Sequence, residues 1–273
     1  MRIRSGLGRP VDPSLPSNVF VVVVTPLAGI AAGSWRLLAG DSFGDAVWGG
    51  ILGGGAAFLA WAVCRELDPD RPPTAALGAL LAPWVLLAGD PSLLGLAVVL
   101  LGARITAGTT GYRLYEVDAA ALALFALGAG AGGAGPIPGA LMGIAVLWVD
   151  RRTGRIAGPL TAAAAFAGWA LWGEGPEWVD LAGGEWVVVM AALPALAGVV
   201  WVRAGVPTDR GDAAVRPGRV RWARLLVAAC IAGATAWFGA PGLVALSPAL
   251  VGAAAAGFPG RPEAPQEPSD LAT

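Results

Sequence analysis

The sequence predicts an all-α integral membrane protein, a polytopic bundle of about ten transmembrane helices. Apolar residues make up 56% of the 273 positions, charged residues only 14%, and the mean hydropathy is +0.67. A soluble domain of this size carries roughly 25% charged residues. Long uncharged apolar runs, for example 46–63 and 187–202, are typical of membrane-spanning helices. Ten such helices use most of the chain and leave no room for an independent soluble domain.

Ten apolar segments follow one another along the chain, each bounded by charged residues or by turn-forming glycine and proline. The fourth, fifth and sixth are short for a hydrocarbon core of about 30 Å, so we expect them to tilt or to extend into neighbouring loops. Residues 1–16 are predicted to be a cytoplasmic tail, 17–257 the helical domain, and 258–273 a disordered cytoplasmic tail. The segments are 17–39, 46–63, 74–89, 91–103, 119–131, 136–149, 156–172, 186–202, 222–238 and 240–257.

The arginines predict the orientation of the bundle. The chain has no histidine and no lysine, so all 18 basic residues are arginines; we interpret the missing lysines as the codon bias of a GC-rich, bacterial genome. Cytoplasmic loops of membrane proteins are enriched in arginine. Ten spans with both termini in the cytoplasm place seventeen of the eighteen arginines inside, Arg36 being the exception. We therefore predict a multi-pass protein of the cytoplasmic membrane.

An eight-span topology is the alternative. Residues 74–103 could form one long kinked helix, and so could residues 119–149. Each helix would be about 45 Å long at 1.5 Å per residue, which requires a strong tilt. Merging both pairs moves only the loop at 104–118 to the outer side, so the charge pattern alone leaves eight spans open.

Several absences restrict the chemistry. Without histidine the chain lacks the usual general base near neutral pH and the commonest metal ligand. Cys64 and Cys230 lack the spacing of a zinc site. The acids lie in loops or near span ends, whereas ion-coupled carriers bury ionisable groups. The sequence thus favours a non-catalytic, permease- or channel-like bundle for an uncharged or apolar solute, with no cofactor and no nucleic-acid partner. A structural or assembly role fits the same features.

A charged cluster in the second-to-third loop supports an enzymatic alternative. Glu66, Asp68 and Asp70 alternate along the chain between Arg65 and Arg71. Carboxylate oxygens are the ligands that Mg²⁺ prefers, and guanidinium groups bind phosphate oxygens. The alternative is a membrane-embedded enzyme that acts with Mg²⁺ on a lipid-linked phosphate or diphosphate. Further phosphate-binding candidates in the next two inner loops are Arg113, Arg151 and Arg152.

This layout of charged inner loops resembles that of the polyprenyl transferases. In that family, loops after the second and sixth helices hold a prenyl diphosphate through Mg²⁺. The acids in the similar loops here are Glu66, Asp68 and Asp70 in the first and Asp150 in the second. Their spacing differs from the N/D-x-x-x-D pattern of the family, and membership is not inferred.

Two further features predict contacts with lipid and between helices. Six arginines lie between Arg203 and Arg224, and we expect this basic stretch to attract anionic lipid headgroups. Glycines at small-xxx-small spacing, such as Gly50 and Gly54, let helix backbones approach closely. They predict tight packing, and Gly-rich helix faces would also allow copies of the chain to associate.

Overall fold

A computed structural model of the protein describes residues 5, 7, 15–150, 152–173, 202, 204–209, 211 and 213–257. Within these residues the protein is all-helical, and its β-type pairing is limited to an isolated bridge between Pro207 and Ala214. The helices are α1 (Pro16–Leu38), α2 (Phe43–Leu67), α3 (Pro72–Leu81, continued by a 3₁₀-helix over Ala82–Leu87), α4 (Leu93–Ala107), α5 (Glu116–Ala131), α6 (Ile137–Val149), α7 (Gly154–Trp172), α8 (Pro217–Phe238) and α9 (Ala240–Gly257).

Local sequence sets several of the helix ends. Ser42 precedes α2, and its hydroxyl accepts a hydrogen bond from the amide of Asp45 at 3.2 Å. Ser92 precedes α4 and accepts from the amide of Gly95 in the same way at 3.1 Å. Such caps satisfy amides that have no partner within the helix. At the other end of α4, Gly108 adopts the left-handed conformation that commonly stops a helix.

Nine of the ten predicted segments coincide with helices. The remaining segment, 186–202, which is the eighth in chain order, lies outside the described residues except for Val202. Two of the three short segments extend into neighbouring loops, because α4 continues past residue 103 to Ala107 and α5 begins at Glu116, before residue 119. The sixth segment, 136–149, does not extend: α6 covers Ile137–Val149.

Among the described parts of the chain, four helices, α1, α2, α8 and α9, are long and apolar enough to cross a membrane. The surface of α1 is apolar as well as exposed: Val22, Leu27 and Ile30 are each more than half exposed. Extended exposed apolar surfaces mark membrane or protein interaction sites. The helices therefore support association with a membrane, whereas the number of ten spans and the cytoplasmic location of the termini stay predictions.

The prediction of two merged helices, on which the eight-span alternative depends, is wrong. That topology requires continuous helices over 74–103 and 119–149, and the structure breaks both, between α3 and α4 and between α5 and α6. Gly89 in the first break and Gly135 in the second have φ values of +146° and +65°. Residues with a side chain rarely adopt such values, so glycine permits the chain to turn at these two places.

The helices alternate in direction, which gathers their charged ends at one face. Arg104 near the end of α4 pairs with Glu66 at the end of α2. Arg224 near the start of α8 donates from Nη2 to the carbonyl oxygens of Leu67 at 2.7 Å and of Ala256 at 3.1 Å, at the ends of α2 and α9. We call this end of the bundle the arginine-rich face. The α3–α4, α5–α6 and α8–α9 turns lie at the opposite face.

Glycines let α1 and α2 pack backbone to backbone. A Cβ atom added at Gly29 would lie 2.9 Å from the carbonyl oxygen of Gly50, and one at Gly54 would lie 3.0 Å from that of Thr25. Close approach maximises van der Waals contact, which is a main source of helix association in lipid. Gly50 and Gly54 therefore contact α1 of the same chain, and association of copies through Gly-rich faces stays a prediction.

Helix α4 lies at the centre of the bundle. Leu96 and Val99 belong to a buried apolar cluster shared with α2, α8 and α9, whereas Val98 and Leu101 belong to a second cluster shared with α5, α6 and α7. The end of α4, which carries Arg104, is consequently held in the middle of the arginine-rich face.

Candidate functional site

A polar cleft of about 640 Å³ opens at the arginine-rich face. We call it the arginine cleft. Its walls come from four places: the end of α4, the α4–α5 loop, the α6–α7 turn and the start of α8. The lining residues are Arg104, Ile105, Gly108, Thr110, Gly111, Tyr112, Arg113, Leu114, Tyr115, Glu116, Val149, Asp150, Arg152, Thr153 and Arg219.

Glycine makes room for one of the arginines of this cleft. Gly108 has a φ of +69°, and a Cβ atom there would collide with the guanidinium group of Arg219. Arg219 instead crosses this position and donates to the carbonyl oxygens of Ile105 at 2.6 Å and Thr106 at 2.8 Å. A cation at the last turn of a helix is stabilised by the helix dipole. Arg219 therefore fixes the start of α8 against the end of α4.

Two other arginines of the cleft are exposed. Arg113 lies in the α4–α5 loop and Arg152 in the α6–α7 turn. Among the described residues, neither side chain takes part in an ion pair. Their guanidinium groups are thus available to an anion that enters the cleft.

The cleft keeps a net positive charge. Four arginines line it, against two carboxylates, those of Glu116 and Asp150. The carboxylate of Asp150 is already hydrogen-bonded within the protein, because its Oδ1 accepts from the backbone amides of Arg152 at 2.9 Å and Thr153 at 3.1 Å. A cleft lined by one sign of charge raises the local concentration of counter-ions. The arrangement suits an anionic ligand.

A hydrogen bond joins the two loops that carry the exposed arginines. The hydroxyl of Thr153 donates to the carbonyl oxygen of Leu114 at 3.2 Å. The α4–α5 loop then leads directly into α5, where the amide of Tyr115 donates to Oδ2 of Asp118 at 2.9 Å. These contacts hold Arg113 and Arg152 on the same cleft.

The three carboxylates predicted as Mg²⁺ ligands have separate partners, and Glu66 is the most buried of them. It is 1% exposed at the end of α2 and accepts from Nε of Arg104 at 2.7 Å. The hydroxyl of Thr109 donates to its other oxygen. A carboxylate buried this deeply requires such partners, because leaving it unpaired would cost several kcal/mol.

Asp68 is held within the α2–α3 turn. Its Oδ2 accepts from Nε of Arg71 at 2.8 Å and from the hydroxyl of Thr74 at 3.2 Å. Burial raises the pKa of Asp68 above its ordinary value of 3.8, although the hydrogen bond and the charge of Arg71 oppose that shift. Arg71 in turn donates to the carbonyl oxygen of Ala256 at 3.3 Å, at the end of α9.

Asp70 binds the loop that precedes α8. Its Oδ2 accepts from the amide of Gly205 at 2.9 Å, and its Oδ1 from the amide of Val206 at 3.2 Å. Each of the three carboxylates therefore has protein donors of its own, and no set of three or more Asp, Glu, Cys or His side chains among the described residues is grouped to hold a metal ion. This arrangement does not fit a shared Mg²⁺ site.

Of the five arginines predicted to bind phosphate, the four that the structure describes are not all at one site. Arg113 and Arg152 line the arginine cleft. Arg65 is half-buried on α2, and Arg71 contacts Asp68. Arg151 lies outside the described residues.

The basic stretch before and within α8 has two kinds of arginine. Arg216 and Arg221 are exposed, as binding to lipid headgroups requires. Arg219 and Arg224 turn inward and bind carbonyl oxygens at helix ends, so they stabilise the bundle. The other two arginines of the stretch, Arg203 and Arg210, lie outside the described residues.

Sequence reasoning did not assign Arg104 and Arg219 to the site, although both line the cleft. It counted Arg104 only as a sign of orientation, and Arg219 as part of the basic stretch expected to attract anionic lipid headgroups. Their positions did carry a signal: Arg104 directly follows an apolar segment, where lipid cannot solvate a charge. An arginine at such a depth needs a partner within the protein, and Glu66 is the acid that provides it.

A second cleft, of about 630 Å³, opens at the opposite face. We call it the apolar cleft, because most of its lining is apolar or glycine. It lies between the start of α2, the α3–α4 turn, the end of α5 and the start of α9. Trp48, Leu94, Pro241 and Val244 are among its walls, and Asp90 and Ser92 are polar exceptions.

No known protein family, curated protein or solved structure matches the chain. The fold and the clefts define its class. Over the residues that the structure describes, the chain is all-helical, with four helices apolar enough to span a membrane, a basic cleft at one face and an apolar cleft at the other.

Proposed function

We propose that the protein binds the phosphate or diphosphate head of a membrane lipid in the arginine cleft. The observation that carries the proposal is the pair of exposed arginines, Arg113 and Arg152, which border one cleft from two different loops. Guanidinium groups form bidentate, charge-assisted hydrogen bonds with phosphate oxygens. A phosphate or diphosphate would neutralise the excess positive charge of the cleft.

A tryptophan pair beside the cleft favours a lipid over a soluble phosphate. Trp148 of α6 and Trp222 of α8 pack edge to face with ring centroids 5.4 Å apart, and both are more than half exposed. Trp148 is adjacent to Val149 of the cleft wall, and Trp222 follows Arg219 by three residues. Tryptophan is enriched at membrane–water interfaces. The headgroup would lie at that interface and the apolar tail along α6 and α8.

The proposal assigns no Mg²⁺ and no chemical step. Glu66, Asp68 and Asp70 have separate protein donors, and none of them lines the arginine cleft. The charge of the ligand would be balanced by arginine alone. The enzymatic alternative differs in one measurable respect, because it requires binding that depends on Mg²⁺ and on these carboxylates.

Ten spans, with both termini in the cytoplasm, complete the proposal and place the arginine cleft at the inner side of the cytoplasmic membrane. Supporting this orientation, the arginine-rich face gathers the α2–α3, α4–α5 and α6–α7 connections, whereas Arg36 lies at the opposite face. Reporter fusions after Asp90 and after Gly173 should both appear outside. A cytoplasmic reporter at either position would contradict this topology.

Thermal unfolding in detergent tests the binding proposal. Farnesyl diphosphate should raise the Tm of the protein, farnesol should not, and pyrophosphate shows whether the anion alone suffices. The Arg113→Gln/Arg152→Gln variant should lose the shift, and Arg155→Gln, an exposed arginine outside the cleft lining, should keep it. A shift that survives the double substitution would contradict the proposal. A shift that needs Mg²⁺ and disappears in Asp68→Asn and Asp70→Asn would favour the enzyme.

The apolar cleft supports a second candidate function, a permease or channel for an uncharged or apolar solute. Its lining of Trp48, Leu94 and Val244 offers such a solute few polar groups. Reconstituted vesicles should then show flux of an apolar solute that Leu94→Asp or Val244→Asp slows. Absence of both flux and lipid-phosphate binding would leave a structural or assembly role.

A further inference from the structure

Ser5 and Leu7, near the N-terminus, lie against the arginine-rich face although they belong to no helix. Leu7 is only 7% exposed. Its side chain belongs to the buried apolar cluster that includes Ile105 of α4, Leu114 of the α4–α5 loop and Ala119 of α5. We call Ser5 and Leu7 the strap.

Polar contacts fix the strap at both of its residues. Nη1 of Arg104 donates to the carbonyl oxygen of Leu7 at 2.7 Å, and the hydroxyl of Ser5 donates to Oδ1 of Asp118. The amide of Leu7 also donates to the hydroxyl oxygen of Ser5 at 3.1 Å. The strap therefore connects the end of α4 with the first turn of α5.

The strap and the arginine cleft share residues. Arg104, Ile105 and Leu114 line the cleft, and each of them also contacts Leu7 or shares its apolar cluster. The guanidinium group of Arg104 is engaged on two sides, at Nε by Glu66 and at Nη1 by the Leu7 carbonyl. In this arrangement one Nη1 hydrogen of Arg104 is directed to the carbonyl oxygen of Leu7 instead of to a ligand in the cleft.

We infer that the strap is an autoinhibitory contact, in which the carbonyl of Leu7 and the phosphate of the lipid compete for Arg104. The inference rests on the proposed function of the arginine cleft. A hydrogen bond from arginine to an anionic oxygen is stronger than one to a neutral carbonyl, so the ligand gains a third arginine when the strap leaves. Re-exposure of Leu7 opposes that gain and sets the strength of the inhibition.

Substitution of Leu7 tests the competition. The Leu7→Ser variant loses the apolar anchor and should lower the Kd for farnesyl diphosphate about tenfold, because one charge-assisted hydrogen bond is worth roughly that factor. Leu15→Ser is the matched control, since Leu15 is 45% exposed, and it should leave the Kd unchanged. Equal Kd values in wild type and Leu7→Ser would overturn the inference that the strap is autoinhibitory and leave the proposed function intact.

A reversible cross-link tests the same point while the Leu7 side chain is kept. In Ser5→Cys/Asp118→Cys the two thiols replace a hydrogen-bonded pair, and the native thiols of Cys64 and Cys230 are buried. The oxidised, locked form should bind farnesyl diphosphate about tenfold more weakly than the reduced form. Equal affinity of the two forms would overturn the strap. If neither these forms nor Leu7→Ser bind the probe and no Tm shift occurs, the proposed function fails together with the strap.

Discussion

Arg36 at the end of α1 forms an ion pair with Asp90 in the α3–α4 turn. Its side chain crosses α2 at Gly49, where a Cβ atom would collide with Cδ and Nε of Arg36. Arg36 is also the one arginine that the ten-span topology places outside the cytoplasm. Its charge is balanced there by an acid on a neighbouring turn, so the exception to the charge asymmetry has a local structural explanation.

A double-mutant cycle between Arg36 and Asp90 should give a coupling energy of about 0.5 kcal/mol, because both side chains are partly exposed. Repeating the cycle in a Gly49→Val background should reduce the coupling to near zero, since the valine occupies the path of the Arg36 side chain. Free energies of unfolding in detergent provide the measurement. Unchanged coupling in the valine background would show that Arg36 does not need the space at Gly49.

Close packing of α1 on α2 predicts an unequal effect of alanine along α2. Gly54→Ala should destabilise the protein by about 1–3 kcal/mol, because its methyl group would press on the carbonyl oxygen of Thr25. Gly44→Ala in the same helix is the control: its methyl group would meet only the Ser42 hydroxyl, at 3.8 Å, so it should be neutral or slightly stabilising. Similar losses for both variants would argue against backbone contact between the helices.

The pairing of Glu66 with Arg104 makes their substitutions non-additive. Glu66→Gln should cost about 3–5 kcal/mol, because it leaves the charge of Arg104, whose side chain is only 12% exposed, without its carboxylate. Adding Arg104→Gln removes that unpaired charge, so the double variant should be more stable than the sum of the single effects predicts. Unfolding free energies of the three variants check this, and strict additivity would contradict the pairing.

Asp68 should make stability depend on pH in a definite direction. Because burial raises the pKa of Asp68 above 3.8, the folded protein holds this proton more tightly than the unfolded chain. The contribution of the carboxyl group to stability is therefore greatest at low pH and declines as the pH rises from about 3.8 through the raised pKa. Asn at this position does not titrate.

Comparing the Tm of wild type and Asp68→Asn from about pH 4 to about pH 8 measures this linkage. The Tm of wild type should fall relative to the Tm of Asp68→Asn as the pH rises. The difference between the two Tm values should stop changing once Asp68 is ionised in the folded state. A shift in favour of wild type over the same range would mean that the pairing with Arg71 outweighs burial, contrary to the expectation.

Hydropathy and turn residues predicted the helices well, since an apolar run bounded by Gly, Pro or charge has few alternatives in a membrane. The separation of α3 from α4 could not be decided in this way. A merged helix and two short helices use the same apolar residues, and the difference depends on Gly89, whose backbone conformation sequence patterns do not reveal.

The candidate site was predicted only in part. Arg113 and Arg152 line one cleft, and phosphate binding by them stays a prediction, whereas Glu66, Asp68 and Asp70 each have separate protein partners. Alternation along the chain suggested a shared metal site, whereas helix α2 ends between Glu66 and Asp68 and directs them to different partners. The partners, among them Arg104 and Gly205, come from distant parts of the chain, and spacing carries no information about them.

Photo-cross-linking with a diazirine analogue of farnesyl diphosphate tests the central claim most directly. The label should map to the α4–α5 loop at 110–116 and to the α6–α7 turn at 149–153, and farnesyl diphosphate but not farnesol should compete for it. The Arg113→Gln/Arg152→Gln variant should lose the label. Labelling confined to residues 88–94 and 240–245, which border the apolar cleft, would contradict the assignment of the lipid phosphate to the arginine cleft.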